Sequence, residues 1–518
     1  MVQKNRLAFG GRIDHKKPVN FTYNGKAYTG YQGDTVASAL LANGIDIIGR
    51  SFKYSRPRGI MAAGAEEPNA LLQLGATEAT QTPNVRATQQ DLFEGLVAGS
   101  TNGWPSPEND AMGIIGKIGG RFMPPGFYYK TFMFPQSMWE TYEKFIRKAA
   151  GFGRSSLETD VDVYDNVNQH ADVLIVGAGP TGLSAALAAA KSGARIILAD
   201  EQSEMGGSLL DSSAEIDGKP ATQWIADAVA ELSDYDNVML LPRSTVNGYH
   251  DHNFLTIHER ITDNLNDNAP SGSVRQRMHR VRAKQVILAA GAHERPIVYA
   301  NNDVPGCMLS SAVTSYINRY NVVPGRSLIL MTTNDNAYHT AFAWQKAGRH
   351  VAAIVDTRAS AGATVTEQAT ELGLKIIYSS VVTEAKGSKR VKAAIVANID
   401  ETGSSITGDE REISCDTIAS SGGWSPTVHL SCHTGGKPNW REDIQGFVPD
   451  DFNKDMFVTG AGNGIYALAD ILTDAAKAGS AAVKACGLTA KRASSAKTDV
   501  IEVAPSMPLY LAPHKQLS

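Results

Sequence analysis

Glycine residues at a regular spacing provide the first chemical signal in this chain. Gly177, Gly179 and Gly182 follow an apolar run at residues 173–176 and precede an alanine-rich run at residues 183–191. In a strand–turn–helix, the first glycine permits a tight turn, the second lets backbone approach a pyrophosphate, and the third lets the helix pack on the strand. The helix N-terminus offers N–H groups and a partial positive charge to that anion. The spacing predicts a dinucleotide site.

Two acidic residues strengthen this prediction. Asp200 and Glu201 close a second predicted strand at residues 195–199. An acid at this point of a βαβ unit can bind a ribose diol, and its charge disfavours a 2′-phosphate. A strand, a glycine turn, a helix, a strand and an acid in this order are far more specific than glycines alone. They predict an α/β fold with a parallel sheet.

The occupant of the site is left open by these residues. Residues 201–208 (EQSEMGGS) resemble the two-dinucleotide-binding flavoproteins of the glutathione and thioredoxin reductase type. That superfamily normally places FAD here. NAD shares the adenosine diphosphate half, so the same pocket can accept either.

A second glycine-rich turn is expected near the carboxyl end of the chain. A short strand at residues 456–459 leads into residues 460–464 (GAGNG), and a helix is predicted from residue 466 to residue 477. The superfamily places such a turn against the dinucleotide. Gly462, Asn463 and Leu468 are therefore candidate contacts.

A second βαβ unit lacks the glycines. Residues 327–331 and 350–355 are predicted strands, and residues 337–347 are a predicted helix. The turn at residues 332–337 reads TTNDNA, and its side chains would block a pyrophosphate. We therefore expect this second Rossmann unit to be empty. His293 and Glu294 could form an acid–base pair, but we expect them to order a crossover loop, so no catalytic residue is assigned.

The amino-terminal residues predict a domain of a different kind. Two strand-like runs flank Asn24-Gly25, Asp34 can cap a helix at residues 35–42, and a long loop leads to a further strand. This order is similar to a plant-type ferredoxin. The four cysteines are Cys307, Cys415, Cys432 and Cys486, so the loop carries none, and no [2Fe–2S] cluster can bind there. We expect a scaffold or a subunit contact, and reduced cysteines.

Length and composition exclude several classes of protein. A chain of 518 residues is too long for one core, and a net charge of -4 gives no reason to expect nucleic acid as a partner. No apolar run reaches membrane-spanning length and no secretory signal begins the chain, so a cytoplasmic protein is expected. The predicted domains are a ferredoxin-like domain (1–90), an aromatic-rich connector (91–170), a first dinucleotide-binding domain (171–320 and 410–490), a degenerate Rossmann domain (321–409) and a linker (491–518).

The connector has little regular patterning but many aromatic residues. We interpret this segment as a connector that packs across two domains. The alternative is that its aromatic residues form an interaction surface for another protein. Its aromatic residues include Trp104, Phe122, Phe127, Tyr128, Tyr129, Phe132, Phe134, Trp139 and Tyr142.

Several motifs together resemble the family of heterotetrameric sarcosine oxidase alpha subunits. They are GFYYKTFMFP (126–135), GAGPTGL (177–183), GAHERP (291–296), NNDVPG (301–306) and SGGWSPTVHL (421–430), in addition to the cysteine-free ferredoxin-like domain. The resemblance covers the chain in order. The family's alpha subunit continues into a folate-binding, aminomethyltransferase-like half, and this chain stops near the expected junction.

The resemblance implies a subunit of a complex that demethylates sarcosine to glycine, reduces oxygen to hydrogen peroxide and forms 5,10-methylenetetrahydrofolate. The partners would be the beta, gamma and delta subunits, with the FAD and the covalent FMN chiefly on beta. It also implies an NAD that does not turn over in the first site of this chain. The residues assigned to NAD are Gly177, Gly179, Thr181, Gly182, Asp200, Glu201, Gln202, Ser208, Val246, Gly462, Asn463 and Leu468.

Three alternatives remain at this point. The chain could be a self-contained oxidoreductase with FAD in the first site and NAD(P)H in the second, although the turn at residues 332–337 speaks against it. It could be the partner subunit of an amine, opine or proline dehydrogenase, although such relatives typically carry cysteine clusters. It could also be a scaffold whose dinucleotide is only structural.

Overall fold

A computed structural model describes residues 3–111, 113, 134–265, 269–450, 454–490, 496–498 and 506–514. The chain is α/β and forms two compact units. Unit 1 comprises Met1–Val161, Pro296–Gly422 and Ala504–Ser518, and unit 2 comprises Asp162–Arg295 and Gly423–Val503.

The helices among the described residues are α1 (Val36–Ala42), α2 (Trp139–Ala150), α3 (Pro180–Ala190), α4 (Ala221–Ser233), α5 (Ser310–Asn318), α6 (Tyr338–Lys346), α7 (Ala363–Glu371), α8 (His429–His433) and α9 (Leu468–Ala485). The strands are β1 (Asp14–Tyr23), β2 (Lys26–Gln32), β3 (Gly49–Arg50), β4 (Pro57–Arg58), β5 (Leu71–Leu74), β6 (Thr82–Arg86), β7 (Leu96–Ser100), β8 (Val163–Val176), β9 (Ile196–Ala199), β10 (Glu215–Ile216), β11 (Lys219–Pro220), β12 (Val238–Leu241), β13 (Ser244–His250), β14 (Phe254–Arg260), β15 (Val274–Leu288), β16 (Ala292–Glu294), β17 (Cys307–Leu309), β18 (Ser327–Thr332), β19 (His350–Asp356), β20 (Ile376–Ile377), β21 (Ser380–Gly387), β22 (Val391–Asn398), β23 (Arg411–Ser414), β24 (Thr417–Ser421), β25 (Trp424–Pro426), β26 (Lys437–Arg441), β27 (Gly446–Asp450) and β28 (Met456–Val458).

Unit 1 contains the ferredoxin-like domain. Its sheet has the order β2-β1-β7-β5-β6, with β1 and β2 joined as the predicted hairpin at Asn24-Gly25. Helix α1 is buried along its whole length, because its seven residues are apolar or small. The cap of α1 differs from the prediction: Thr35, and not Asp34, is the N-cap residue, and Thr35 and Ser38 bond each other's backbone N–H groups.

The degenerate Rossmann domain also belongs to unit 1. Its parallel sheet has the order β17-β24-β18-β19-β20, and a separate antiparallel sheet has the order β21-β22-β23. The core of this domain is continuous with that of the ferredoxin-like domain. Tyr316 of α5, for example, is fully buried and donates its hydroxyl to the carbonyl of Ala62 at 2.8 Å. The amino-terminal domain is therefore packed as an integral part of unit 1.

Unit 2 is built on one large sheet of order β12-β9-β8-β15-β14-β13, with β28 beside the end of β15. Strands β12, β9, β8, β15 and β28 run parallel, so their carboxyl ends share one edge. Helix α9 packs closely on α3, because Gly479 presents no side chain to Ala185. The Ser184 hydroxyl donates to the carbonyl of Leu472 at 2.9 Å and joins the same two helices.

Several elements differ in length from their predictions. The short strands expected between residues 238 and 291 include β15, which has 15 residues and pairs with three neighbours. Helix α9 extends eight residues beyond the predicted end at residue 477. Strand β7 lies in the ferredoxin-like sheet, beyond the predicted domain boundary at residue 90.

Candidate functional site

The first glycine turn joins the end of β8 to the start of α3. Gly177 has φ +95°, in the region that favours glycine, and its N–H donates to Ala199 O at 2.8 Å. A Cβ on Gly182 would stand 2.8 Å from the carbonyl carbon of Gly177 and still closer to its oxygen. Both glycines are therefore required by the tight fold of the turn, as their spacing predicted.

Gly179 has a different environment. It is the N-cap residue of α3, with φ -72°, and the nearest atom to an added Cβ is Gly207 Cα at 3.8 Å. Being glycine, it has no side chain to cap the helix. The turn thus leaves open space at a helix N-terminus, where backbone N–H groups favour an anion. This geometry fits a pyrophosphate.

Gly206 and Gly207 support the same turn from the other side. The N–H of Gly206 donates to Ala178 O at 2.9 Å, and a Cβ on Gly207 would lie 2.8 Å from Gly179 Cα. Both have positive φ, 137° and 53°. Neither residue is among those predicted for the site, although the Gly-Gly pair stands in the sequence EQSEMGGS.

The carboxylate of Asp200 is committed to backbone. Its Oδ2 accepts the Ala178 N–H at 2.6 Å and its Oδ1 accepts the Gln202 N–H at 2.8 Å. The backbone of Asp200 also bonds Leu241 and Ser244. Asp200 consequently links the glycine turn to the loop that carries the other predicted ribose contacts.

Glu201 follows directly and is partly exposed. Its carbonyl accepts a hydrogen bond from Arg260 Nη2 at 3.1 Å, and the N–H of Arg243 donates to Gln202 O at 2.8 Å. The guanidinium of Arg260 and the backbone of Arg243 therefore contact the segment that would face the adenosine ribose.

The glycine-rich turn at residues 460–464 contacts the first glycine turn. A Cβ on Gly460 (φ +66°) would overlap the side chain of Thr181, which is buried in the first turn of α3. Gly462 lies close to Gly291, which follows β15. A Cβ added to Gly462 would be 3.5 Å from Gly291 O. Turns after β8, β15 and β28 thus converge at one edge of the sheet, where α/β proteins bind ligands.

The remaining predicted residues lie around this edge. Ser208 is exposed in a 3₁₀ turn, Gly207–Leu210, and Leu468 begins α9. Asn463 is the last residue of the 3₁₀ turn Gly460–Asn463, and its carbonyl accepts a hydrogen bond from Arg441 Nη1 at 3.3 Å. Val246 lies on β13, two residues after Ser244, whose N–H donates to Asp200 O at 2.7 Å.

The corresponding turn of the degenerate domain is filled by its own side chains. Asn334 bonds Ser421 Oγ at 2.9 Å, and Asp335 accepts from Arg358 at 2.7 Å. Arg358 also pairs with Asp356, the acid that ends β19, at 2.8 Å. All five side chains are buried. The guanidinium pairs with both carboxylates.

A segment near the carboxyl end covers the same turn. The N–H of Met507 donates to Thr333 O at 3.1 Å, and Thr333 Oγ1 lies 3.2 Å from Ser506 Oγ. Leu509 is buried in the core of this domain. The turn that would receive a second dinucleotide is therefore occupied by protein.

The ferredoxin-like loop contains charged residues in place of cysteines. Arg56 and Arg58 both pair with Asp303, the former at 2.6 Å. Further along, the buried carboxylate of Glu67 accepts four backbone N–H groups, those of Met61 and Ala62 at 2.7 Å and of Asn69 and Ala70 at 2.7 and 3.1 Å. Burial raises the pKa of Glu67 above its usual range, against the effect of these donors. No thiolate in this loop could bind an iron–sulfur cluster, so the residues do not fit one.

The four cysteines are unpaired. Cys307 and Cys415 are buried, and burial raises the pKa of each thiol to about 12. Within the described residues, no group of three or more His, Cys, Asp or Glu side chains could hold a metal ion. His293 and Glu294 lie on β16, which pairs with β25 and shapes the crossover after Gly291.

The predicted connector is only partly described. Phe122, Phe127, Tyr128, Tyr129, Phe132 and most of the motif at residues 126–135 lie outside the described residues. Helix α2 has no buried side chain, and Trp104, Phe134 and Trp139 are exposed. Among the described residues, no helix combines the length and the apolar character needed to cross a membrane.

One open and one filled dinucleotide turn, each in its own βαβ unit, define a protein of the two-dinucleotide-binding oxidoreductase class. The chain belongs to the pyridine nucleotide-disulphide oxidoreductase family, whose sequence model matches residues 171–486. A second model, that of the 2Fe-2S iron-sulfur cluster binding domain, matches residues 16–103. Both predicted fold types are confirmed.

The resemblance to sarcosine oxidase subunit alpha is also confirmed. The chain is 42% identical to that subunit of Rhizobium meliloti (strain 1021) over 98% of its own length and 50% of the relative. It is 38% identical to the subunit of Corynebacterium sp. (strain P-1), over 92% and 44% of the two chains. This chain thus spans about half the length of these curated relatives.

Among solved structures, L-proline dehydrogenase from P. horikoshii has the same fold. The two chains superimpose with a TM-score of 0.59 over 94% of this chain and 77% of the other, at 16% sequence identity.

Proposed function

We propose that this chain is the NAD-binding alpha subunit of an oxidase complex that demethylates sarcosine to glycine. In this complex the amine loses two electrons and two protons to oxygen, which forms hydrogen peroxide, and the methyl carbon is transferred to tetrahydrofolate as 5,10-methylenetetrahydrofolate. The flavins FAD and FMN lie mainly on a partner subunit, and the partners are the beta, gamma and delta subunits. The chain's similarity to sarcosine oxidase alpha subunits supports this assignment.

The observation that carries the nucleotide assignment is the open helix N-terminus at Gly179. A methyl group there would enter space that no protein atom fills, whereas the corresponding turn at Asn334 and Asp335 is filled. The site would hold the pyrophosphate at Gly177–Gly182 and the adenosine ribose at Glu201. FAD is the alternative occupant, because its adenosine diphosphate half is the same. Bound NAD would supply a nicotinamide that can accept or donate hydride.

The filled second turn also argues against a self-contained enzyme. Such an enzyme needs two dinucleotides, one to accept electrons from the other. With one open turn among the described residues, the chain binds a dinucleotide that stabilises it by roughly RT ln(1 + [L]/Kd) and depends on a flavin-bearing partner for turnover.

The nucleotide is tested by denaturing the purified chain and identifying the released molecule by mass spectrometry. NAD at one equivalent per chain is expected. FAD at one equivalent would replace NAD in this assignment, and release of no nucleotide would contradict the site itself.

The activity is tested by measuring oxygen consumption with sarcosine, using the chain with and without its co-encoded partners. Peroxide should form only in the assembled complex. Peroxide from the chain alone would overturn the subunit assignment and support the self-contained flavoenzyme.

A further inference from the structure

Two adjacent carboxylates, Asp200 and Glu201, stand where one acid is normally enough. Both occur at the end of β9, the position from which a Rossmann fold contacts the adenosine ribose. Their surroundings differ, and the difference separates their roles.

The Asp200 side chain is turned toward the protein. Its bond to Gln202 N–H, two residues ahead, is that of an Asx turn, and its bond to Ala178 N–H reaches back across the sheet to the glycine turn. Each carboxylate oxygen already accepts a backbone donor, at 2.8 and 2.6 Å. A ribose diol would have to compete with both bonds.

The bond to Ala178 fixes the peptide between the first two glycines of the turn. On its other side, Ala178 O accepts the N–H of Gly206 at 2.9 Å. Asp200 therefore determines where the turn lies relative to Gly179, and so where a pyrophosphate would lie.

Glu201 lies beside a cation. Arg260 Nη2 is 3.1 Å from the carbonyl oxygen of Glu201, and the Arg260 N–H donates to Arg243 O at 3.0 Å. An arginine near the ribose acid is the group that accommodates a 2′-phosphate in NADP-binding folds.

We infer that Asp200 is a positioning residue for the glycine turn, and that Glu201 alone selects against a 2′-phosphate, in front of an arginine that could bind one. This inference rests on the proposed dinucleotide site and assigns its substrate class to nucleotides with a free ribose 2′-hydroxyl. The preference for NAD over NADP then depends on the Glu201 side chain. The affinity for either nucleotide depends on the Asp200 side chain.

The test compares D200N, D200A and E201Q in the full chain, with NAD and NADP titrated by calorimetry after any bound nucleotide has been removed. Wild type should bind NAD at least about tenfold more tightly than NADP. E201Q should bring that ratio to about one or below, mostly through tighter binding of NADP. D200N should weaken both nucleotides by about tenfold, and D200A by more, with the ratio unchanged.

A change of ratio in D200N as large as that in E201Q would overturn the division of roles, as would undiminished binding in D200A. R260Q combined with E201Q should lose the acquired affinity for NADP, and its retention would exclude Arg260 as the phosphate ligand. Wild type that binds neither nucleotide would contradict the proposed function instead.

Amide hydrogen exchange gives a second measurement that needs no variant. In ligand-free wild type, the Ala178 amide should exchange slowly, because its N–H is bonded to Asp200. Fast exchange there, with slow exchange in α3, would also overturn the positioning role of Asp200.

Discussion

Gly182 packs so closely on the Gly177 peptide that the Cβ of any other residue would lie within 2.8 Å of the Gly177 carbonyl carbon. Gly179, three residues earlier, has no such neighbour. The two glycines of one motif therefore serve different purposes, one for folding and the other for ligand binding, and substitution by alanine can separate them.

Gly182→Ala should destabilise unit 2 by at least about 2 kcal/mol, because the turn has to move to accept the methyl group. A lower Tm and a weaker retention of nucleotide should appear together. A Tm within one degree of wild type would mean that the turn is not packed as described.

Gly179→Ala should leave the Tm of the ligand-free chain nearly unchanged, because its φ of -72° suits alanine and the methyl group meets no atom within 3.5 Å. It should greatly reduce the nucleotide that co-purifies with the chain, since the methyl group enters the pyrophosphate space. Full nucleotide content in G179A would place the pyrophosphate elsewhere.

Thr333→Ala is the matched change in the second turn. Loss of the Thr333 hydroxyl, which is buried beside Ser421 and Ser506, should cost about 1 kcal/mol of stability but no bound nucleotide. Equal loss of nucleotide from T333A and G179A would refute the assignment of a single open site.

Glu67→Gln should destabilise unit 1 by about 2–4 kcal/mol at pH 7. The amide has one oxygen to accept hydrogen bonds, and its NH₂ group would face two of the four backbone N–H donors. Glu66→Gln, next in the chain and partly exposed, is the control and should have little effect on unfolding in denaturant.

The pH dependence of this difference has a defined sign. Since burial raises the pKa of Glu67 in the folded state, protonation favours folding. The stability that wild type has over E67Q should therefore grow as the pH falls from the folded pKa of Glu67 toward its unfolded value, about 4.3. A difference that shrinks over this window would indicate a lowered pKa.

The four thiols should divide into two classes. Cys307 and Cys415, with pKa values raised to about 12 by burial, should resist a disulfide reagent at pH 8 in the native chain, whereas the partly exposed Cys432 and Cys486 should react. All four should react in denaturant. Rapid native labelling of Cys307, located by peptide mapping, would contradict its burial.

Iron analysis tests the ferredoxin-like domain. Neither iron nor acid-labile sulfide should be present, because no cysteine precedes Cys307. About two iron atoms per chain, the [2Fe–2S] stoichiometry, would require ligands other than cysteine.

The sequence indicated the first glycine turn, because two of its glycines are required by local backbone. Gly177 needs a positive φ and Gly182 needs a close approach, and both requirements follow from residue spacing alone. The filled turn at Asn334 and Asp335 was visible for the same reason, since side chains replace glycines there.

What the sequence could not provide depends on contacts between distant segments. The contact of Gly207 with Gly179 and the approach of Arg260 to Glu201 join residues far apart in the chain, and no periodicity indicates them. The cap of α1 shows a local limit as well: Asp34 and Thr35 are both good caps, and Arg6 with the Ser38 hydroxyl engages Asp34, which leaves Thr35 to bond Ser38 N–H. The domain boundaries and the binding residues stay predictions.

The Arg358 guanidinium, between Asp335 and Asp356, makes the second turn hard to open by single substitutions. Replacing Asp335 by glycine would remove the acceptor of one Arg358 bond and of the Gly362 N–H and leave Arg358 paired with Asp356 alone, at a cost of about 1–3 kcal/mol. Replacing Arg358 first would leave two buried acids facing each other. Either order of substitution therefore passes through a less stable protein, which sets a stability barrier between the filled turn and an open one.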